Sequence, residues 1–225
     1  MTNLERPARL SRDDVLRAAL DLLNEIGIDA LTTRKLAERL GVQSPTLYWH
    51  FKNKAALLDA MSQAVLLESR AREAPTRHEH WQEWLMADGR SFRRALLAYR
   101  DGARLHAGTR PGEAQRESIE ARLRLLCAAG FEPGPATLLM MSVGRFVVGW
   151  VLEEQSAQAP EAPPSATLAG PDASQYPLLA EGWRQTVGSD ADAVFDAALR
   201  LLIGGAMATL NESPQKRAPR FGMGS

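Results

Sequence analysis

Apolar residues recur with a helical period along almost the whole of this 225-residue chain, and this pattern limits what it can fold into. In the first such stretch, Val15, Ala19 and Leu22 have the spacing that places side chains on one face of a helix. Proline and glycine fall between the apolar stretches, and no run alternates with period two for long enough to build a sheet. The sequence therefore predicts an all-α protein of about ten helices.

Start and stop signals divide the chain into helices and connecting segments. Ser11 is a typical N-cap before the first apolar stretch, and Ser44 followed by Pro45 is another start signal. Residues 156–177 are rich in Pro, Ala, Ser and Gly and predict a mobile loop, while residues 213–225 predict a disordered tail. We expect helices at about residues 12–27, 32–41, 45–51, 54–73, 80–99, 102–107, 112–129, 135–155, 178–186 and 191–210.

Composition excludes a generic polycation and an intrachain disulfide. The 27 Lys and Arg residues balance 27 Asp and Glu residues, so any nucleic-acid binding must come from a local surface. The single cysteine, Cys127, is expected to be a small buried apolar residue in a cytoplasmic protein. Residues 136–152 are almost wholly apolar but run straight into Glu153 and Glu154, so we interpret them as a buried bundle or interface helix and expect no membrane span.

The strongest local signal lies in residues 31–54, where two short helices would meet at a corner containing Gly41. Glycine adopts the positive φ that a sharp corner needs, and Ala37 is small where one helix must approach another. Apolar residues such as Leu47 and Phe51 would fix the crossing of the helices. The outer face of the third helix then holds Gln43, Ser44, Pro45, Thr46, Tyr48, Trp49 and His50.

This outer face combines hydroxyls, an amide, an imidazole and large aromatic rings. It suits a DNA groove, in which polar groups meet base edges and apolar groups meet thymine methyls. Thr33, Arg34 and Lys54 flank it with donors of the kind that bind phosphate. The sequence therefore predicts a helix-turn-helix DNA-binding domain over residues 1–58, and the alternative is a three-helix subdomain with a polar surface and no nucleic-acid ligand.

The same residues resemble a known family. The cluster Tyr-Trp-His-Phe-Lys, residues 48–52, resembles the DNA-binding segment of the tetR family of transcriptional repressors, and the resemblance runs from about Leu10 to Gln155. It implies a dimer that binds a palindromic operator and is released by a small-molecule inducer. Ser44 departs from the longer amide side chain of the tetracycline-sensing members, which leaves the operator sequence open. The resemblance implies a phosphate contact from Thr33 and operator contacts from Arg34, Pro45, Thr46, Tyr48, Trp49, His50 and Lys54.

Residues 59–212 are predicted to form an effector-binding and dimerisation domain. One short recognition helix contacts too few bases to find a site in a genome, so a homodimer is required. The nearly continuous apolar helices at about 135–155 and 191–210 are candidates for a four-helix bundle built by two subunits. Alternatively, both helices belong to the core of one subunit, and the resemblance favours the interface.

The resemblance to the tetracycline-sensing members extends to their effector site. His106 would bind a magnesium ion that the drug delivers, and Thr109 and Glu153 would act through waters, Glu153 from the other subunit. Mg²⁺ keeps several waters and uses few protein ligands, which agrees with this short set. Without the resemblance, His106 would be interpreted as a surface or capping histidine. The other residues implied at the site are Phe92, packed against the ligand, and Arg110 and Pro111, in a segment that moves when ligand arrives.

Three positions depart from that effector site. Arg70, Asp88 and Arg122 stand where the tetracycline-sensing members have a histidine, an asparagine and a glutamine that contact the polar edge of the drug. A buried charge tolerates only a compensating partner. The charges therefore either pair with one another or receive an unrelated ligand that is more polar or anionic. A DNA-binding regulator without an effector is a further alternative.

Enzyme chemistry has no support in the sequence. The histidines are His50, His78, His80 and His106, and no nucleophile motif, glycine-rich phosphate loop or paired-carboxylate spacing accompanies them. We therefore expect a regulator that is not an enzyme, with no cofactor other than Mg²⁺ delivered with the ligand.

Overall fold

Helices make up the regular structure of this chain wherever the computed structural model describes it, in residues 10–69, 80–109, 112–158, 170–186 and 190–211. The all-α class is thereby confirmed. In chain order the helices are α1 (Arg12–Ala30), α2 (Thr33–Leu40), α3 (Ser44–Leu47), α4 (Lys54–Ser69), α5 (Trp81–Leu97), α6 (Gly102–Ala107), α7 (Glu113–Ala128), α8 (Pro133–Ala157), α9 (Pro177–Thr186) and α10 (Ala191–Asn211).

Several sequence predictions fall outside the described residues. Arg70, Arg110 and Pro111 are among them, as are residues 159–169 of the predicted loop and the whole predicted tail. The predicted loop begins later than residue 156, because α8 continues through Ala157. Within this last turn the Ser156 hydroxyl donates to the carbonyl of Leu152 over 2.7 Å.

Helix α1 begins with a reciprocal cap and bends near its end. The Ser11 hydroxyl accepts from the amide of Asp14, and the Asp14 carboxylate accepts from the amide of Ser11, both over 3.1 Å. The helix does not stop at Gly27, as expected, but kinks there with φ +76° and continues to Ala30. The kink is stabilised from α6, because the Asp101 carboxylate accepts from the amide of Ile28 over 2.9 Å.

The corner between α2 and α3 has the predicted geometry, while α3 is shorter than expected. Gly41 has a φ of +65° and closes α2. Because Ser44 is already the first residue of α3, the N-cap is Gln43. The Gln43 side chain makes no capping hydrogen bond. The helix ends at Leu47. The next residues form turns in which an amide donates to the carbonyl three residues earlier, as the amide of His50 does to the carbonyl of Leu47.

The chain divides into two compact units. The first contains Met1–Ala71, Ser91–Gly112 and Val148–Ala159, and the second contains Arg72–Arg90, Glu113–Val147 and Pro160–Ser225. The domain boundary expected after residue 58 stays a prediction.

The first unit has its core among α1, α2 and α4. Leu23, Leu36 and Met61 are fully buried there. The end of α8 is fixed by Gln155, whose side-chain amide donates to the carbonyls of Leu96 and Tyr99 over 3.2 and 2.8 Å. These contacts hold the start of α6 in a defined position.

In the second unit, α10 and the part of α8 that precedes Val148 bury one face each. The rings of Phe146 and Phe195 stack with centroids 5.6 Å apart. Pro133–Ala157 is the one helix among the described residues that is long and apolar enough to cross a membrane, a test that core helices of other proteins also pass. Cys127 is half-buried, so the expectation of a buried cysteine is wrong. In this unit, the large apolar side chains outside the buried faces of the two helices are Leu138, Met141, Leu201 and Met207.

Candidate nucleic-acid interface and effector site

A short stretch after the corner buries two of its apolar side chains and exposes two large aromatic rings. Leu47 and Phe51 are buried, and the guanidinium carbon of Arg12 lies 5.0 Å from the centroid of the Phe51 ring. Trp49 is 89% exposed and Tyr48 is 52% exposed. Burying such rings in a partner would remove a large apolar area from water, so this surface is typical of a binding face.

The other predicted DNA contacts surround these rings with polar groups. Gln43, Pro45 and Lys54 are exposed, while Thr33, Ser44, Thr46 and His50 are half-buried. Arg34 is exposed, and its Nε donates to the Glu38 carboxylate over 2.9 Å. An exposed pair of this kind is weak, so Arg34 can exchange Glu38 for a phosphate or a base.

The predicted effector residues of the first unit meet around a serine that sequence reasoning missed. Ser62 on α4 lies with its Oγ 3.3 Å from Nδ1 of His106 and 3.1 Å from Oγ1 of Thr109. Phe92 meets the His106 ring edge to face, with centroids 5.0 Å apart. Ser62 sits among the apolar residues of α4, and that position in the sequence was the only signal for it.

Glu153 and its neighbour Glu154 have different environments on α8. Glu153 is exposed, as a residue that reaches another subunit would be. Glu154 instead pairs with Arg93 of α5 and accepts from the indole nitrogen of Trp150 over 3.0 Å. This interior ion pair was also missed, because nothing in the sequence distinguishes Glu154 from Glu153.

In the second unit, Asp88 and Arg122 form an ion pair. They are the two described residues among the three charged positions that depart from the effector site of the tetracycline-sensing members. Nη2 of Arg122 lies 3.1 Å from the Asp88 carboxylate, and both side chains are mostly buried. The Arg122 guanidinium also lies over the Trp84 ring, 5.4 Å from its centroid. Of the two alternatives for these charges, pairing within the protein is observed for Asp88 and Arg122.

A network of charges joins the end of α1 to α6. The Arg104 guanidinium donates to both carboxylate oxygens of Asp29 over 2.8 Å, and to Asp101 over 3.3 Å. The hydrogen bonds from Arg104 hold the pKa of Asp29 below its usual value. Arg104 therefore links the end of α1 to α6, the helix that carries His106.

The described residues contain no group of three or more His, Cys, Asp or Glu side chains that could hold a metal ion by themselves. His106 beside the Thr109 hydroxyl nevertheless fits Mg²⁺ that arrives with most of its oxygen ligands already supplied.

Comparisons with known proteins identify the group to which this chain belongs. Residues 15–61 match bacterial regulatory proteins of the tetR family, and residues 74–210 match the tetracyclin repressor-like C-terminal domain. The chain belongs to the tetR family. As a member of this family it is a DNA-binding transcriptional regulator of the ligand-responsive repressor type.

Individual members of the tetR family are similar over most of their length. The tetracycline repressor protein class A from transposon 1721 of Escherichia coli is 49% identical over 197 residues, which cover 88% of this chain and 90% of that protein. The crystal structure of TetR from Acinetobacter baumannii AYE has 45% identity and a TM-score of 0.70, covering 90% of this chain and 99% of that one. TetR (class A) in complex with 5a,6-anhydrotetracycline and magnesium has 44% identity and a TM-score of 0.69, covering 88% and 99%. These relatives are regulators and not enzymes.

Proposed function

We propose that this tetR-family regulator is a cytoplasmic homodimer that represses transcription from a palindromic operator and is released by a tetracycline-like drug carrying Mg²⁺. The observation that carries the DNA-binding part is the exposure of Tyr48 and Trp49 beside the buried Leu47. The effector part is supported by the 49% identity to a tetracycline repressor and by the cluster of Phe92, His106 and Thr109.

The exposed turn after α3 supports operator binding. Tyr48 and Trp49 offer rings to thymine methyls and sugars, and Thr46 and His50 offer hydrogen-bonding groups to base edges. Lys54 is exposed at the first turn of α4, where it can bind a phosphate. We propose the same role for Thr33 and Arg34 at the start of α2, and contacts from Gln43, Ser44 and Pro45 beside the rings.

The outward faces of α8 and α10 support a homodimer. Leu201 on α10 is 78% exposed, and Gly204 and Gly205 follow it with open space beside their backbones. Leu138 and Met141 are exposed on α8. A second copy that covered these faces would bury apolar side chains and allow close approach of two helices at the glycines.

For the effector, His106 is the proposed direct ligand of Mg²⁺, with Thr109 and the partner's Glu153 reached through waters. The ion would hold the charged oxygens of the drug against the protein. Phe92 lies edge-on to the His106 ring and would pack against the drug. The pairing of Asp88 with Arg122 supports a tetracycline-like ligand as well, because the two added charges compensate each other without a counter-charge from the ligand.

Release follows from differential binding. A ligand that binds the DNA-incompetent arrangement more tightly than the competent one shifts the population toward it. Helix α4 runs from Lys54 at the proposed operator face to Ser69 and carries Ser62 beside His106. It is therefore the proposed lever.

A second candidate is an effector that is unrelated to tetracycline and more polar or anionic. The observation in its favour is that Arg122 and Asp88 are charged and lie mostly buried. Such a ligand would separate the pair and replace one of its members. Arg70, Arg110 and Pro111 would belong to the site in either case by the family resemblance.

Two measurements test the proposal. Selection of random duplexes by the purified protein should enrich one palindromic sequence, and a failure to enrich any would contradict operator binding. Calorimetric titration with tetracycline in the presence of MgCl₂ should give a dissociation constant of about 1 µM or tighter, which corresponds to roughly 8 kcal/mol of binding free energy. Absence of tetracycline binding, together with binding of an anionic compound, would favour the second candidate.

A further inference from the structure

The Ser62 hydroxyl occupies an unusual position for a polar group. The residue is 3% exposed and lies on α4 with buried Met61 directly before it. A hydroxyl buried among apolar side chains costs free energy unless it is hydrogen-bonded. The partners of Ser62 are both predicted effector residues, His106 and Thr109. Its contacts therefore tie α4 to the end of α6.

Counting hydrogens limits how these groups can bond. Thr109 has one hydroxyl hydrogen, and the carbonyl of His106, at 2.8 Å, is nearer to its Oγ1 than Ser62 Oγ is, at 3.1 Å. If Thr109 donates to that carbonyl, the Ser62 hydroxyl can donate to Thr109 Oγ1. Ser62 Oγ then accepts from Nδ1 of His106. Every hydrogen in this chain of bonds has an acceptor.

We propose that Ser62 is a positioning residue that holds His106 in the tautomer with hydrogen on Nδ1, so that Nε2 presents a lone pair to Mg²⁺. This inference rests on the proposed function, since it concerns the same effector site. The reverse arrangement, with Ser62 donating to Nδ1, would place the hydrogen on Nε2 and block that atom as a metal ligand. A partner on the second ring nitrogen commonly orients a metal-binding histidine and raises its affinity for the ion.

The contacts of Ser62 also link the effector site to α4, the helix proposed to move when the operator is released. Movement of His106 or Thr109 on effector binding would act on α4 directly through the Ser62 hydroxyl, eight residues after Lys54 in the same helix. An alanine at this position would retain the packing of α4 and lose the link.

The test compares the full-length wild-type protein with Ser62→Ala. Long-range ¹⁵N–¹H NMR of the protein without metal or drug should show His106 with hydrogen on Nδ1 in the wild type and a mixture of tautomers in Ser62→Ala. Tetracycline titrations with and without MgCl₂ should show a loss of about 10–100-fold in affinity for the variant when Mg²⁺ is present. Affinity measured without Mg²⁺ should be unchanged.

Two further variants keep the result interpretable. Ser62→Thr retains the hydroxyl and should restore the wild-type tautomer, while Ser142→Ala removes a half-buried serine of α8 and should behave as wild type in both measurements. A wild-type His106 with hydrogen on Nε2, or a Ser62→Ala protein with unchanged tautomer and Mg²⁺ dependence, would overturn the proposal. If the wild type does not bind tetracycline with Mg²⁺, the effector assignment fails, while the NMR comparison still decides the role of Ser62.

Discussion

Arg93 and Glu154 form a two-pronged ion pair between α5 and α8 in the interior of the first unit. Nε of Arg93 lies 3.0 Å from Oε2 of Glu154, and Nη2 lies 2.7 Å from Oε1. The side chains are 10% and 19% exposed, so neither charge is well solvated without the other. The indole nitrogen of Trp150 donates to the same carboxylate, which adds a third bond to the cluster.

Removing one member of this pair should destabilise the protein. Glu154→Gln removes the negative charge that both prongs of the Arg93 guanidinium contact, and we expect a loss of about 3 kcal/mol in the free energy of unfolding, near the lower end for a broken buried pair. Urea denaturation measures it. Glu83→Gln changes an exposed carboxylate of α5 and serves as the control, with an expected change within about 0.5 kcal/mol. Equal urea midpoints for Glu154→Gln and Glu83→Gln would contradict a stabilising Arg93–Glu154 ion pair.

Replacement of an operator-facing side chain should abolish specific DNA binding without unfolding the protein. Tyr48→Ala or Arg34→Ala removes a contact worth about 1–3 kcal/mol, which corresponds to a loss of roughly 5–150-fold in each half-site. Gel shifts with the selected operator measure the loss. Arg116→Ala is a matched control, since Arg116 is exposed and also pairs with a glutamate of its own helix. Wild-type gel shifts for Tyr48→Ala and Arg34→Ala would rule out the proposed face.

A charge on the outward face of α10 should separate the subunits. Leu201→Glu would place a carboxylate in the proposed contact between two copies, where it has no counter-charge. We expect light scattering coupled to gel filtration to give the mass of a monomer for this variant and of a dimer for the wild type. Ala128→Glu, at an exposed position of α7, is expected to remain dimeric. A dimeric Leu201→Glu protein would move the interface elsewhere.

The Asp88–Arg122 pair should respond non-additively to mutation. Asp88→Asn and Arg122→Gln each remove one charge of a mostly buried pair, whereas the double variant leaves two neutral groups. The double variant should therefore be more stable than the sum of the two losses implies, by about 0.5–3 kcal/mol. The cycle requires denaturation curves of all four proteins. Additive losses would mean that the two side chains do not interact in solution.

The Asp29–Arg104 contact should weaken in acid. Because hydrogen bonds from Arg104 hold the pKa of Asp29 below its usual value of 3.8, the stabilisation from Asp29 is complete above that value and is lost as pH falls through the lowered pKa. Thermal melting of the wild type and Asp29→Asn should differ at pH 6 and converge as pH falls below 3.8 and through the lowered pKa of Asp29. Arg104→Gln should show the same convergence. A difference that persists unchanged in acid would exclude the carboxylate as its source.

The helices could be predicted because periodicity and capping residues act locally. Ser11 caps α1 through its hydroxyl, and Gly41 ends α2 because glycine, which lacks a Cβ, adopts the left-handed conformation there. The continuation of α1 past Gly27 could not be predicted. It depends on Asp101, whose contact with Ile28 joins residues 73 positions apart in the chain.

The candidate site was predictable only where single side chains carry its chemistry. His106 and Thr109 were accessible through family resemblance. Ser62 was not, because its role depends on where α4 passes α6, and a serine in an apolar stretch gives no sign of its partners. The same holds for Glu154, which differs from Glu153 only in the direction its side chain takes from α8.

The bend in α1 has a consequence for the construction of chimeric regulators. Gly27 suits no other residue well, since its φ is +76° and an added Cβ would lie 3.0 Å from the Asp101 carboxylate that accepts from the next amide. A DNA-binding module cut from this chain and joined to a foreign sensor would leave Asp101 behind. Such a transplant retains the bend only if its new host offers an acceptor at the same point. The DNA-binding module would therefore have to be exchanged together with Asp101 and α6.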